Sequence, residues 1–269
     1  ASAAQNGQDR VISVRQAKLT EHMDLLGELS ITQGMLEEEF TRLRVNAPEM
    51  NRLLAEVRKL TASLHKSAVS MNLVEMDSIF FRLRLIAREM AAKLNKDVEL
   101  TCRGGNIEVD KNVLEKLYDP LMHLVRNGID HGIEDPAARV RAGKPARGTL
   151  AIEAAIFDDA VQISLSDDGA GIDADAVLEK ARSQGIARDG RTYTEREIHR
   201  MLLQPGFSTK QALSEYSGRG IGLDIVATGL SELGGSLSIE SAKGVGTTFL
   251  LRIPASLSML DALDFTIGG

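Results

Sequence analysis

The sequence predicts an α+β protein in which an antiparallel helical hairpin precedes an α/β sandwich with a mixed sheet. Three observations predict it. From about Val14 to Val74 the apolar residues step by three and four on both sides of Asn46-Ala47-Pro48, which is helical periodicity. The runs GTLAIEAAIF and AVQISLSDD alternate like strands and are joined at Asp158-Asp159. SLSIES and TTFLLRI form a second strand pair around Lys243-Gly244-Val245-Gly246.

The first helix is marked by Leu19, Met23, Leu26, Leu29, Leu36, Phe40 and Leu43, the second by Met50, Leu53, Val57, Leu60, Leu64 and Met71. Asn46 can cap the second helix, and Pro48 is tolerated in its first turn. Two helices bury too little surface to stand alone, and a second copy of the hairpin completes a four-helix bundle. The plainer alternative is that the hairpin packs on its own globular domain.

Beyond Glu75, Asp77 to Leu94 reads as a helix with Ile79, Phe80, Leu83, Ile86, Ala87 and Met90 on its apolar side. Val98–Cys102 and Asn106–Asp110 read as short strands around Gly104-Gly105. A helix is expected from Lys111 to His131, then the alternating strands, a polar glycine-dotted stretch from Ile172 to Gly218, and a helix after Gly222. Residues 255–269 look like the start of a further domain, and residues 1–12 like a linker or a remnant of cloning.

Composition excludes several classes. The net charge of −6 gives no general attraction to nucleic acid or to anionic membranes. The single cysteine, Cys102, rules out an intrachain disulfide and fits a reducing, cytoplasmic setting. No apolar run approaches the roughly 20 residues that a membrane helix needs.

Four segments carry chemistry. In HLVRNGIDHGIE, helical spacing puts His123, Asn127 and Asp130/His131 on one face. An Asn oxygen suits Mg²⁺ on a triphosphate, because it ligates without adding negative charge beside the phosphates. In SDDGAGID, Asp167 sits where a strand ends and can accept a hydrogen bond from an amino group such as that of adenine. Gly169 and Gly171 there allow close approach of the backbone to a flat ring. In GFSTK, Ser208, Thr209 and Lys210 can donate to phosphate oxygens. In GRGIGLDIV, Gly218, Gly220 and Gly222 lead into a helix start, where clustered N–H groups attract phosphate. Each segment alone has a plainer reading: solvated polar residues on a helix, an Asp-Gly turn, a surface turn, a glycine loop. Their order along the chain describes one nucleotide site.

In that order the chain resembles the GHKL ATP-binding superfamily, the group of gyrase, Hsp90, histidine kinases and MutL. HLVRNGIDHGIE, KPARGTL, PGFSTK and SGRGIGLDIV, together with LTEHMDLLGELSITQGML in the first helix, resemble the chemotaxis histidine kinase (CheA) family in particular. Gly128 departs from the pattern, where that family usually has Ala; a glycine inside a helix costs up to about 1 kcal/mol and would loosen it slightly.

The resemblance implies ATP and Mg²⁺ as cofactors, with Asn127 on the metal and Asp167 on the adenine amino group. It implies that Gly169 and Gly171 shape the adenine pocket, that Thr247 lies near the base, and that Ser208, Thr209 and Lys210 reach the phosphates from a lid. Gly218, Arg219, Gly220 and Gly222 would wrap the triphosphate, with Arg126, Asp130 and His131 beside it. His123 and Lys210 would be catalytic; His123 stands where hydrolysing members carry a water-activating Glu, which fits transfer to another histidine. The implied plan is a dimerisation hairpin at 13–74, an ATP-binding kinase domain at 75–254, and the beginning of a coupling domain at 255–269. The implied partners are a second copy of the chain, a phosphotransfer domain carrying the acceptor histidine, and, through domains outside this chain, a response regulator, a coupling protein and a receptor. None of His22, His65, His123, His131 and His199 sits in the family's acceptor motif, so the acceptor is expected on another domain. The alternative is a nucleotide-binding scaffold or ATPase of the same superfamily.

Overall fold

A computed structural model describes residues 16–43, 48–207 and 222–254. They fall into two compact units, divided between Leu73 and Val74.

The first unit is a pair of packed helices, α1 (Gln16–Arg42) and α2 (Pro48–Ser70). Pro48 is the first residue of α2, where its missing N–H costs nothing. The pair is registered by polar groups: Gln33 is buried and donates to the Leu54 carbonyl, and Arg58 pairs with Glu37 across the two helices. Much of the apolar stepping is uncovered. Leu25, Leu29 and Leu36 on α1, Leu43 just past its end, and Met50, Leu53, Val57, Leu60 and Leu64 on α2, are exposed.

β1 (Leu73–Glu75), which begins at the boundary, pairs with β3 (Glu108–Asp110) in a small separate ladder of the second unit. The sequence gives no sign of β1. Between them lie α3 (Asp77–Lys93) and β2 (Val98–Arg103). β2 does not pair with β3, its neighbour in sequence. It runs parallel to β4 (Gly148–Phe157), which makes the sheet mixed. β4 pairs antiparallel with β5 (Ala160–Asp167), β5 with β7 (Gly246–Pro254), and β7 with β6 (Ser236–Ala242), so the order is β2-β4-β5-β7-β6.

One face of this sheet is covered. Leu150, Ile152, Ile163, Leu165, Leu251 and Ile253 alternate inward along their strands and are buried. They meet α3, α4 (Lys111–Asn127) and α8 (Leu223–Glu232) through Phe80, Leu83, Leu117, Leu121, Leu124, Val226 and Leu230. Each fully buried side chain of this size contributes roughly 1.5–3 kcal/mol, so this layer is the main stabilising element of the unit. Asp110 starts α4 by accepting from the amides of Asn112 and Val113.

One expectation needs correction. The helix expected to run to His131 stops at Asn127 and continues as a π-turn, Gly128–Gly132, closed by a hydrogen bond from the Ile133 amide to the Gly128 carbonyl. The π-turn begins at Gly128, which is buried, and a Cβ there would stand 2.7 Å from Leu150 Cδ2. The polar stretch from Ile172 carries further helices. It holds α6 (Ala174–Ser183) and α7 (Glu195–Met201), which enclose a small core of Ala181, Ala187, Met201 and Phe207. A short helix, α5 (Pro136–Arg141), lies between the π-turn and β4. The cap expected at Asn46 and the tail at 255–269 fall outside the described residues.

Candidate functional site

Asp167 is the last residue of β5, paired with Leu150 on one side and Thr247 on the other. Its carboxylate is buried and accepts from the Gly169 amide at 2.9 Å. Burial raises its pKa, against the pull of the Gly169 amide. The turn that follows depends on glycine. A Cβ on Gly169 would stand 2.0 Å from the Gly132 carbonyl oxygen, and Gly171, at φ +69°, would put one 2.1 Å from the Ala242 oxygen. Ser241 ties this end together: its hydroxyl accepts from the Ile172 amide at 2.8 Å and lies 3.0 Å from the Thr247 hydroxyl.

The π-turn meets Asp167 directly. The Ala170 amide donates to the Gly132 carbonyl at 2.8 Å. Lys96 fixes the same turn from another side, donating to the carbonyls of Ile129, Asp130 and Ile133 at 2.9, 2.8 and 2.7 Å. These are carbonyls that a helix end leaves without intrahelical partners.

His123, one turn before the end of α4, is buried, and among the described residues its Nε2 has no hydrogen-bond partner. Burial and the neighbouring Arg126 charge push its pKa down to about 4, with Asp224 pulling the other way. The ring is therefore neutral at pH 7, with one nitrogen left as an acceptor. Arg126 and Asn127 are half-buried at the helix end. Asp130 and His131 are exposed and face each other at 3.4 Å. Because the π-turn interrupts the α-helix after Asn127, the regular steps His123–Asn127–His131 are not continued as one helical row. Gly222 is the N-cap of α8, which packs on α4.

The structure thus brings Asp167, Gly169 and Thr247 together around one turn, and Gly171 against the β6 end of the same loop. It places His123, Arg126 and Asn127 on the last turns of α4. Ser208, Thr209, Lys210, Gly218, Arg219 and Gly220 lie outside the described residues. The sequence reading missed Gly132, Lys96 and Ser241. It also missed an ionic cluster of Glu134, Lys144 and Asp168 around the buried Arg139, for which the five-residue spacing of Glu134, Arg139 and Lys144 in IEDPAARVRAGKP was the available signal.

The donor set fits a Mg²⁺ that arrives with a nucleotide. Among the described residues no group of three or more His, Cys, Asp or Glu could hold a metal ion. Asn127 offers a neutral oxygen, suited to an ion whose other ligands are phosphate oxygens and water.

Residues 115–257 match the model of the histidine kinase-, DNA gyrase B- and HSP90-like ATPase family, and residues 9–71 that of the homodimeric domain of signal-transducing histidine kinases. The chain belongs to the first of these families and carries the second domain ahead of it. Within that class it is similar to chemotaxis protein CheA of Salmonella typhimurium, at 38% identity over 96% of this chain and 38% of that protein. CheA of Bacillus subtilis is 36% identical, again over 96% and 38%. The chain spans well under half the length of these relatives. Among solved structures, the catalytic domain of the histidine kinase ThkA aligns over 68% of this chain and 94% of its own, at 18% identity and a TM-score of 0.46. Among the described residues no helix is long and apolar enough to cross a membrane.

Proposed function

We propose that this chain is the dimerisation and kinase core of a CheA-type histidine kinase, binding Mg-ATP and passing the γ-phosphoryl group to a histidine on a separate phosphotransfer domain. The observation that carries the proposal is His123. A superfamily member that hydrolyses ATP needs a base for water at this position. Here that position holds a buried, uncharged imidazole in place of a carboxylate. It adds no charge beside the phosphates and leaves the attacking group to come from elsewhere.

Asp167 receives the adenine amino group in this reading. The Gly169 amide holds its carboxylate in place before the ligand arrives. Asn127 ligates Mg²⁺, which neutralises charge on the phosphates. Arg126, Asp130 and His131 border the phosphates. Ser208, Thr209 and the catalytic Lys210 act from the lid, and Gly218, Arg219, Gly220 and Gly222 wrap the triphosphate up to the start of α8. Transfer then rests on positioning and charge neutralisation for an in-line displacement.

The exposed heptad-like row on α2 (Met50, Leu53, Val57, Leu60, Leu64) supports a second copy as the hairpin's partner, closing a four-helix bundle. Residues 13–74 would be that dimerisation domain and 75–254 the catalytic one. A response regulator, a coupling protein and a receptor would engage domains outside this chain, in the cytoplasm, with chemotaxis or a related motility output. Incubation with γ-labelled ATP and a CheA-type phosphotransfer domain tests the proposal. Label on the acceptor histidine supports it; phosphate release that needs no acceptor favours an ATPase, and nucleotide binding with neither outcome favours a scaffold.

A further inference from the structure

Arg139 is the largest fully buried side chain among the described residues, with 1% of its side chain exposed. A buried guanidinium must be satisfied completely or it destabilises the fold. Here all five N–H donors are used. Nε donates to the Pro145 carbonyl at 2.8 Å. Nη1 donates to Glu134 Oε2 and to the Asp168 carbonyl, each at 3.1 Å. Nη2 donates to the Arg147 carbonyl at 3.3 Å and to Asp168 Oδ2 at 2.9 Å. Lys144 stands beside it and donates to Glu134 Oε1 at 2.9 Å, to the Asp168 carbonyl at 3.0 Å and to the Gly169 carbonyl at 2.6 Å. Two cations and two carboxylates close on each other, so the cluster leaves no net charge to attract a ligand of its own.

Its contacts converge instead on the backbone of residues 168 and 169. In a trans peptide the carbonyl and the next N–H lie in one plane and point in opposite directions. The Asp168 carbonyl, held by both Arg139 and Lys144, shares its plane with the Gly169 N–H, which donates to Asp167 Oδ1 at 2.9 Å. The Gly169 carbonyl, held by Lys144, shares its plane with the Ala170 N–H, which donates to the Gly132 carbonyl at 2.8 Å. The Asp168 carboxylate completes the clamp, accepting from the Thr149 amide at 2.9 Å. The two adjacent aspartates therefore have opposite duties: Asp167 faces the turn's glycines, and Asp168 anchors the turn from behind.

We infer that Arg139 and Lys144 are positioning residues for base recognition: gripping the Asp168 and Gly169 carbonyls, they turn the N–H groups that aim Asp167 and seat the loop on Gly132. The inference rests on the reading of Asp167 as the acceptor of the adenine amino group.

The test measures binding of ATP and of purine riboside triphosphate, which lacks that amino group, to the full chain and to Lys144→Met, Lys144→Arg and Arg139→Lys, alongside thermal melting. The unaltered chain should prefer ATP. Lys144→Met should weaken ATP binding about tenfold, the size of one lost hydrogen bond to a charged group, and the analogue much less, so the preference collapses. Lys144→Arg, which can still donate to both carbonyls, should restore most of it. Arg139→Lys should behave like Lys144→Met if it folds; Lys144→Met, which leaves Glu134 and Asp168 paired with Arg139, keeps the test valid if it does not. A merely structural role would lower the melting temperature and leave the ratio unchanged, and that result in Lys144→Met overturns the inference while leaving the Asp167 reading intact. Equal binding of the two nucleotides by the unaltered chain overturns both.

Discussion

Gly132 sits against the carboxylate of Asp167, so closely that a Cβ on the glycine would meet Oδ2 at 3.1 Å. One residue closes the π-turn after α4, the other ends β5, and they are 35 positions apart in the chain. Contact between them joins the helix end that carries Asn127 to the turn assigned to the base. Gly132→Ala should therefore weaken ATP binding several-fold while costing only about 1 kcal/mol of stability, because a carboxylate can yield a few tenths of an ångström. Gly169→Ala should be more severe, since its Cβ would meet the Gly132 backbone oxygen at 2.0 Å, which a side-chain adjustment cannot relieve. We expect a loss of about 2–3 kcal/mol and no measurable ATP binding, read by urea denaturation and calorimetry.

His123 makes stability depend on pH in a definite direction. Its folded pKa is lowered from 6.5 to about 4, so between those values the unfolded chain binds a proton that the folded chain refuses. Stability should be full above about pH 6.5 and fall as pH drops toward 4, by up to about 3 kcal/mol from this group. Asp167 acts oppositely at the acid end, because its raised pKa makes protonation of the folded state favourable there. Denaturation of the unaltered chain and of His123→Gln across this range isolates the term. The variant should show a flatter dependence; equal slopes would contradict the buried neutral ring.

Asn127→Ala should abolish Mg-dependent ATP binding and leave the oligomeric state unchanged. Titration calorimetry with and without Mg²⁺ reads the first effect and sedimentation the second. Unchanged ATP affinity in the presence of Mg²⁺ would remove Asn127 from the metal.

Removal of residues before Val74 should yield a folded monomer that still binds ATP. The main core, from Met76 to Ile253, is complete within the second unit, and the uncovered apolar rows of the hairpin leave with it. A dimer that survives this deletion would refute the hairpin as the interface.

Much of this was legible in the sequence where a period or a glycine dictated it. The 3.6 period of α1 and α2, the alternation of β4 and β5, and the hairpin of β6 and β7 all depend on local pattern. The position of Asp167 followed from alternation ending at a glycine pair. What was missed is non-local or compensatory. β1 is three residues long and exists only because β3 is there to pair with it. The parallel β2–β4 pairing depends on a crossover that leaves no mark in either strand. The π-turn differs from an α-helix by one hydrogen-bond step, which the three bonds from Lys96 stabilise. Arg139 looks like any surface arginine until five acceptors from scattered residues close around it. Each of the four chemical segments is weak alone, and the contact of Gly132 with Asp167 shows why the order of two of them was informative.

The most direct measurement is transfer of label from γ-labelled ATP to a separate CheA-type phosphotransfer domain, with phosphate release followed in parallel. The account predicts label on a histidine of that domain, dependent on Asn127 and Asp167, with little phosphate released when the domain is left out. Rapid phosphate release without an acceptor, and no label on the histidine when one is supplied, would contradict it.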